Sequence, residues 1–352
     1  MPKALKRGAL RAFKTLGLFD AARNSQWRTD RLLILCYHGV SLDDEHEWDG
    51  AYYMSATAFE DRLRTLSEGG YSVLPLSEAV QRLYARTLPE RSVVLTFDDG
   101  LSDFAQRAYP LLRKYGFPAT VYLTTYYCRY NKPVFGMFCS YVLWKARGRI
   151  VDPEGLAGAS RGERWDLRSG GGRAEAHRAI LRYADEQGLS AEQKNDLAER
   201  LCRRLGVDYD ALAAKRLLHL MTPEEVSALA REGVDFQLHT HRHRTPRDRA
   251  LFLREIADNL AQLRDLTGSE AAHFCYPSGV HRPEFLPWLE ECGVVSATTC
   301  ESKLASSDTA PLLLPRMVDT SNIAPVEFES WLTGVGGLLP RRSRGGGRMA
   351  PR

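Results

Sequence analysis

The 352-residue sequence contains no Cys-x-x-Cys pair, and its seven cysteines (36, 128, 139, 202, 275, 292 and 300) are odd in number and scattered. This argues against a disulfide framework and a cysteine-ligated zinc site, and it suits a reducing compartment. No apolar run is long enough to span a bilayer. The N-terminus, MPKALKRGALRAFKTLGLF, has no continuous apolar core and does not read as a secretory signal. A cytoplasmic location is therefore expected, with the inner membrane face as a peripheral option. Internal repeats are absent. Acids are missing from residues 1–14, which carry Lys3, Lys6, Arg7, Arg11 and Lys14, and from 341–352, which carry Arg341, Arg342, Arg344, Arg348 and Arg352. These ends account for +10 in a chain of net charge +4, leaving the body about −6. Such a body offers no basic surface for nucleic acid.

What is present is globular: 44% hydrophobic and 26% charged residues, ample for a large core. Six short apolar runs have the character of buried strands: LLILCY (32–37), VVLTF (93–97), TVYL (120–123), VDFQL (234–238), HFCY (273–276) and VVSAT (294–298). Helical patterns lie between many of them. Thr57 and Glu60 suggest a capping box at one helix start, and Thr222, Pro223 and Glu225 another, closed by Gly233. Pro110 is expected to kink or break the helix that ends at Gly116. Strands alternating with helices imply a mostly parallel α/β sheet, open or closed into a barrel, with chemistry at the strand C-terminal ends.

Residues 126–220 break that rhythm. An aromatic-rich opening (Tyr126, Tyr127, Tyr130, Phe135, Phe138, Tyr141, Trp144) leads through a Gly/Arg-rich loop to helical patterns at about 174–187 and 191–205. This reads as a mainly helical insertion that should border the cleft. Residues 1–30 form a basic amphipathic segment, in which Leu5, Ala9, Phe13 and Leu16 share a helical face suited to an anionic membrane surface or to the protein's own body. The domain proper is expected over 31–330, followed by a flexible basic tail at 331–352.

Two strand ends carry the chemistry. VVLTFDDG places Asp98 and Asp99 side by side, where like charges repel unless something positive intervenes. FQLHTHRHRTP gathers three of the nine histidines, 239, 241 and 243, after another buried run. Two histidines and a carboxylate form a common hydrolytic metal set, and the second aspartate can then take a proton from water. Spacing alone does not say which two histidines bind.

TFDDG followed by His-Thr-x-x-His (His239, Thr240, His243) resembles the NodB-type polysaccharide deacetylases, carbohydrate esterase family 4. The resemblance covers roughly residues 31–125 and 220–320. It implies a distorted (β/α)7-type barrel and removal of N-acetyl groups from amino sugars of a glycan. It also implies a divalent metal, Zn2+ being the first expectation, on Asp99, His239 and His243, with Asp98 as general base and His241 spare. The family's Arg-x-Pro-Tyr motif appears here as CYPSG, with Cys275 for the arginine and Ser278 for the tyrosine. Tyr276, Ser278 and Arg316 are expected beside the oxyanion or substrate. Arg316, in LLLPRM, is the candidate replacement guanidinium. The late Leu-x-His motif is absent, and His38, after LLILCY, stands as the expected general acid. That arrangement resembles the permuted branch that modifies exopolysaccharides. A nearby carboxylate is expected to raise the His38 pKa and keep it charged. Two rivals are the same chemistry on another amide, such as a formamido sugar, and a catalytically idle carbohydrate-binding module.

Overall fold

The computed structural model describes residues 3–337. Seven parallel strands form its centre: β1 (Leu33–Tyr37), β2 (Ser92–Asp99), β3 (Thr120–Leu123), β4 (Asp235–Leu238), β5 (His273–Cys275), β6 (Ser296–Thr298) and β7 (Met317–Val318). Their order in the sheet is β6-β5-β4-β3-β2-β1-β7. The short strand Ser72–Val73 adds to the first half of β2, while β3 pairs with its second half. The sheet curls until its edges are bridged: Leu314, just before β7, makes a parallel bridge to Thr298 of β6. The result is the distorted α/β barrel. β1 is buried throughout, and β2 until its last residue, as expected of parallel strands covered on both faces.

The expected strands are all present, with two differences. β2 does not stop at Phe97 but runs through Asp98 and Asp99, which pair with Tyr122 and Leu123 of β3. β7, only two residues long, lacks the apolar run that betrayed the others. Helix starts follow local hydrogen bonding. Ser55, not Thr57, caps the helix Ala56–Glu68, because its side chain accepts the Ala58 N–H. The Thr222–Glu225 capping box is formed at the start of the helix Pro223–Arg231. Pro110 is accommodated by a π-helical turn at Phe104–Ala108, which merges into the helix Tyr109–Tyr115.

Helices used below are α1 (Lys3–Thr15), α2 (Phe135–Lys145), α3 (Gly170–Glu186), α4 (Ala191–Leu205), α5 (Pro223–Arg231), α6 (Arg249–Thr267) and α7 (Pro325–Leu332). The insertion supplies α2, α3 and α4, which share one core through residues such as Phe138, Ile180 and Leu201. It leaves from the end of β3 and returns beside the end of β2, where Leu220 bridges Leu101 and Met221 N–H donates to Gly100 O. Asp44, in the loop after β1, accepts from Tyr141 and Lys145 of α2, each at 2.6 Å. The insertion thus sits over the strand C-terminal ends, and most of its opening aromatics pack rather than project; Tyr127 is 47% exposed. At the chain's end, Trp331–Gly336 are buried, so that part of the expected flexible tail is folded; residues 338–352 lie outside the described residues.

Candidate active site

Because β1, β2 and β4 run parallel, the segments that follow or end them meet at one rim. On a strand, alternate residues share a face, so Thr96 and Asp98 point into the barrel together. Asp98 is 4% exposed and receives both arms of Arg316: Nη1 donates to Oδ1 and Nη2 to Oδ2, each at 2.7 Å. Arg316 itself is fully buried and is braced by the Thr299 carbonyl and the Thr96 hydroxyl. Burial alone would raise the Asp98 carboxyl pKa, but the guanidinium outweighs it and holds the carboxyl below the ordinary range. The Cys36 and Cys275 thiols each lie 3.5 Å from Asp98 Oδ2, and Cys275 also accepts from Arg316 Nη2. Arg316 therefore occupies the role that Cys275 cannot fill. Because it is buried behind Asp98, the expectation that it lies next to substrate is corrected.

Asp99 turns the other way. Its Oδ1 lies 3.2 Å from His239 Nε2 and 3.1 Å from His243 Nε2. His239 Nδ1 is 2.9 Å from the Cys275 carbonyl, an acceptor only, so Nδ1 carries a proton and Nε2 is the nitrogen turned toward Asp99. Asp99 Oδ1, turned toward both nitrogens, is a buried oxygen without a hydrogen-bond partner. A carboxylate oxygen and two imidazole nitrogens, all within 4.8 Å of one another, fit a divalent cation. The Tyr52 hydroxyl donates to the other oxygen, Oδ2.

The backbone is bent to make this set. Asp99, Thr240 and His243 have φ of 71°, 63° and 53°, in the left-handed region where non-glycine residues are strained. Gly100 follows at φ 83°, and a Cβ there would meet Leu123 Cδ1 at 2.2 Å. Asn259 of α6 holds the loop: it accepts the His239 N–H and donates to Leu123 O and Thr125 Oγ1. His241 stands apart, buried with Nδ1 2.9 Å from Thr125 Oγ1 and its ring against Tyr126. The structure thus separates the alternating histidines.

His38 reaches the same rim, with Nε2 3.9 Å from Asp98 Oδ2 and its ring 4.4 Å from that of Tyr52. Burial lowers its pKa by more than Asp98 and Asp99 raise it, which corrects the expectation of a standing imidazolium. Tyr276 is buried, and its hydroxyl donates to the Leu312 carbonyl, so its side chain faces the core and not a substrate. Ser278 is exposed, at φ 55°. Among the described residues it makes no recorded side-chain contact with the cluster. Tyr52 and Cys36 were not foreseen. Cys36 was legible in principle, since it lies two residues before His38 on one strand face; Tyr52 sits in a loop with no such periodicity.

The sequence matches the polysaccharide deacetylase family over residues 85–152 and 175–297, more than half of the chain. The chain belongs to the polysaccharide deacetylase family. Curated relatives match over shorter stretches. YxkH of Bacillus subtilis (strain 168), a polysaccharide deacetylase by name, is 36% identical over 94 residues, 26% of this chain and 32% of its own length. The poly-β-1,6-N-acetyl-D-glucosamine N-deacetylase of Escherichia coli (strain K12) is 31% identical over 96 residues, 26% of this chain and 14% of that protein. The matched stretches thus span a third or less of these relatives. Among solved structures, the Streptococcus pyogenes deacetylase PplD in complex with acetate superposes with a TM-score of 0.54 at 20% identity, covering 84% of this chain and 95% of that one. IcaB from Ammonifex degensii gives 0.53 at 19% identity, covering 86% and 97%. These two likenesses establish the shared deacetylase fold.

Proposed function

We propose that this deacetylase removes N-acetyl groups from amino sugars of a polysaccharide, an oligosaccharide or a glycan intermediate, as a hydrolase dependent on a divalent cation. The observation that carries this reading is the division of labour between adjacent carboxylates, one clamped by Arg316 and the other facing two histidine nitrogens. The curated relative named for poly-β-1,6-N-acetyl-D-glucosamine supports the substrate class.

Asp99, His239 and His243 would hold the cation, Zn2+ being the first choice for such a donor set. When bound, it polarises the acetyl carbonyl and makes water more acidic, toward a pKa of about 7 for zinc in the best case. Asp98, oriented by both arms of Arg316, accepts the proton that the attacking water loses. The Ser278 N–H is the backbone donor we assign to the developing oxyanion. His38 protonates the departing sugar nitrogen. Burial lowers the pKa of its ring, and the proton that Asp98 takes up, 3.9 Å away, is the one we assign to it for this step.

Cys275 in place of arginine was the ground for an idle binding module. Arg316, reaching Asp98 from the residue just before β7, removes that ground. The test is acetate release by cation-loaded protein across chitooligosaccharides, poly-N-acetylglucosamine fragments, and nucleotide- or lipid-linked amino sugars, with N-formyl analogues in parallel. Acetate from at least one glycan is expected. Formate alone would move the activity to another amide, and no release from any substrate would overturn the reading.

A further inference from the structure

Of the three alternating histidines, His241 is the one the catalytic cluster leaves over. It is 4% exposed, and its Nδ1 lies 2.9 Å from Thr125 Oγ1. That hydroxyl already accepts from Asn259 Nδ2. Among the described residues Nδ1 is the one acceptor within hydrogen-bond distance of its own hydrogen, so Nδ1 accepts and Nε2 carries the ring N–H. Nε2 has no partner among the described residues. A buried imidazole with one nitrogen unused calls for an explanation.

A cavity of about 210 Å³ adjoins it, lined by Arg129, His241, Asp258, Ala261 and Gln262. The last three stand at i, i+3 and i+4 on one face of α6. Arg129 comes from the turn Cys128–Tyr130 at the start of the insertion. Like His241 Nε2, the Arg129 guanidinium and the Gln262 amide have no hydrogen-bond partner among the described residues. The acids nearby are already held. Asp258 faces Arg242 at 3.4 Å and Arg254 at 3.8 Å. Glu255, the other acid acting on His241, faces Arg242 at 3.2 Å and Arg244 at 2.7 Å. Arg129 is left without a carboxylate; its guanidinium lies 5.7 Å from the Tyr126 ring, which Arg242 approaches to 5.0 Å. Three unpaired donors beside an excess of guanidinium charge suit an anion.

We propose that this cavity is an oxyanion site, separate from the catalytic cluster, for the phosphate or carboxylate group of a sugar-sized ligand. Arg129, Gln262 and His241 Nε2 donate to the oxyanion. Asp258, whose two oxygens are not exhausted by its arginines, accepts from a hydroxyl of the same ligand. The volume lies below the ~300–1,000 Å³ of pockets for drug-sized ligands, which limits the occupant to about one sugar unit. Placement gives binding a consequence. The Tyr126 N–H donates to His241 O at 2.8 Å, and the His241 N–H donates to Glu255 O at 3.1 Å. An occupant therefore ties together the first turn of the insertion, the loop 239–243 and α6. It steadies the loop that carries His239 and His243 without touching either ring.

Calorimetric titration of the full chain tests this apart from any turnover. The probes are glucose 6-phosphate, glucuronate and uncharged glucose, with divalent cations chelated so that no anion binds through the cation. At least one charged sugar should bind at least tenfold more tightly than glucose, and the tighter of the two names phosphate or carboxylate. Arg129→Gln, at an exposed position outside the catalytic cluster, should weaken that binding at least tenfold, and Arg129→Lys should recover part of it. The His241 ring resonances, identified by their loss in His241→Ala, should shift during the titration. Equal binding of all three sugars, no binding of any, or wild-type affinity in Arg129→Gln overturns the proposal. So do shifts at His243 without a shift at His241, because the anion would then sit in the catalytic cluster.

Discussion

Arg316 and Asp98 are 218 residues apart in sequence and joined by two hydrogen bonds of 2.7 Å in the barrel interior. The pair fixes the plane of the carboxylate, and every mechanistic role proposed for Asp98 depends on that plane. Each partner gives the other an opposite charge at 2.7 Å, which makes the pair expensive to break.

Arg316→Gln should destabilise the protein by about 3–5 kcal/mol in denaturant titrations, the usual penalty for stranding one member of a buried ion pair. Asp98→Asn should lower turnover by roughly 10²–10⁴-fold, the range of a general base, while leaving cation content intact. The pair also predicts an acid limb. A carboxyl held low in the folded state stabilises fully above its unfolded pKa of about 3.9, and that stability is lost as pH falls further. Wild-type stability should therefore decline below about pH 4 more steeply than that of Asp98→Asn. Parallel limbs would show that Asp98 is not held low.

Cation content separates the three alternating histidines. His239→Ala or His243→Ala should lose most of the bound divalent ion measured by elemental analysis, and His241→Ala should keep it. Chelation should abolish acetate release while the circular dichroism spectrum persists, and added divalent cation should restore it. Loss of the ion in His241→Ala with retention in His243→Ala would reverse the assignment.

Tyr52→Phe removes the hydroxyl that donates to Asp99 Oδ2 but keeps the ring beside His38. Partners behind a metal ligand typically contribute 10–100-fold in affinity, so the cation Kd should rise by about that factor. An unchanged Kd would reduce Tyr52 to packing.

His38→Ala should depress turnover without changing cation content. In the wild type, burial lowers the His38 pKa, so between that lowered value and about 6.5 the unfolded chain binds more protons and stability rises with pH. The alanine variant should lack this slope in urea titrations across pH 5 to 7. Normal turnover in His38→Ala would end its assignment as the acid.

Much of this was legible one strand at a time. The apolar runs ending in Asp98–Asp99 and before His239 are local signals, because a buried parallel strand must be continuously hydrophobic and its exit residues define the rim. Six of the seven strands were found this way. β7 was not, since two residues carry no periodicity, and its place is set by pairing with β1 across the barrel. The same limit hid Tyr52, which sits in a turn where its N–H donates to Asp49 O and its carbonyl accepts the Gly39 N–H.

The amino-acid order alone therefore determined the family, six of the barrel's seven strands and the four motif residues Asp98, Asp99, His239 and His243, all of them matters of short-range pattern. Only the tertiary structure decided that Arg316 replaces the guanidinium missing at Cys275, that His241 turns away, and that burial lowers the His38 pKa despite two nearby carboxylates. Each of those outcomes depends on distance through space and on burial. Neither is set by neighbours in the chain; both arise when distant strands close into one interior.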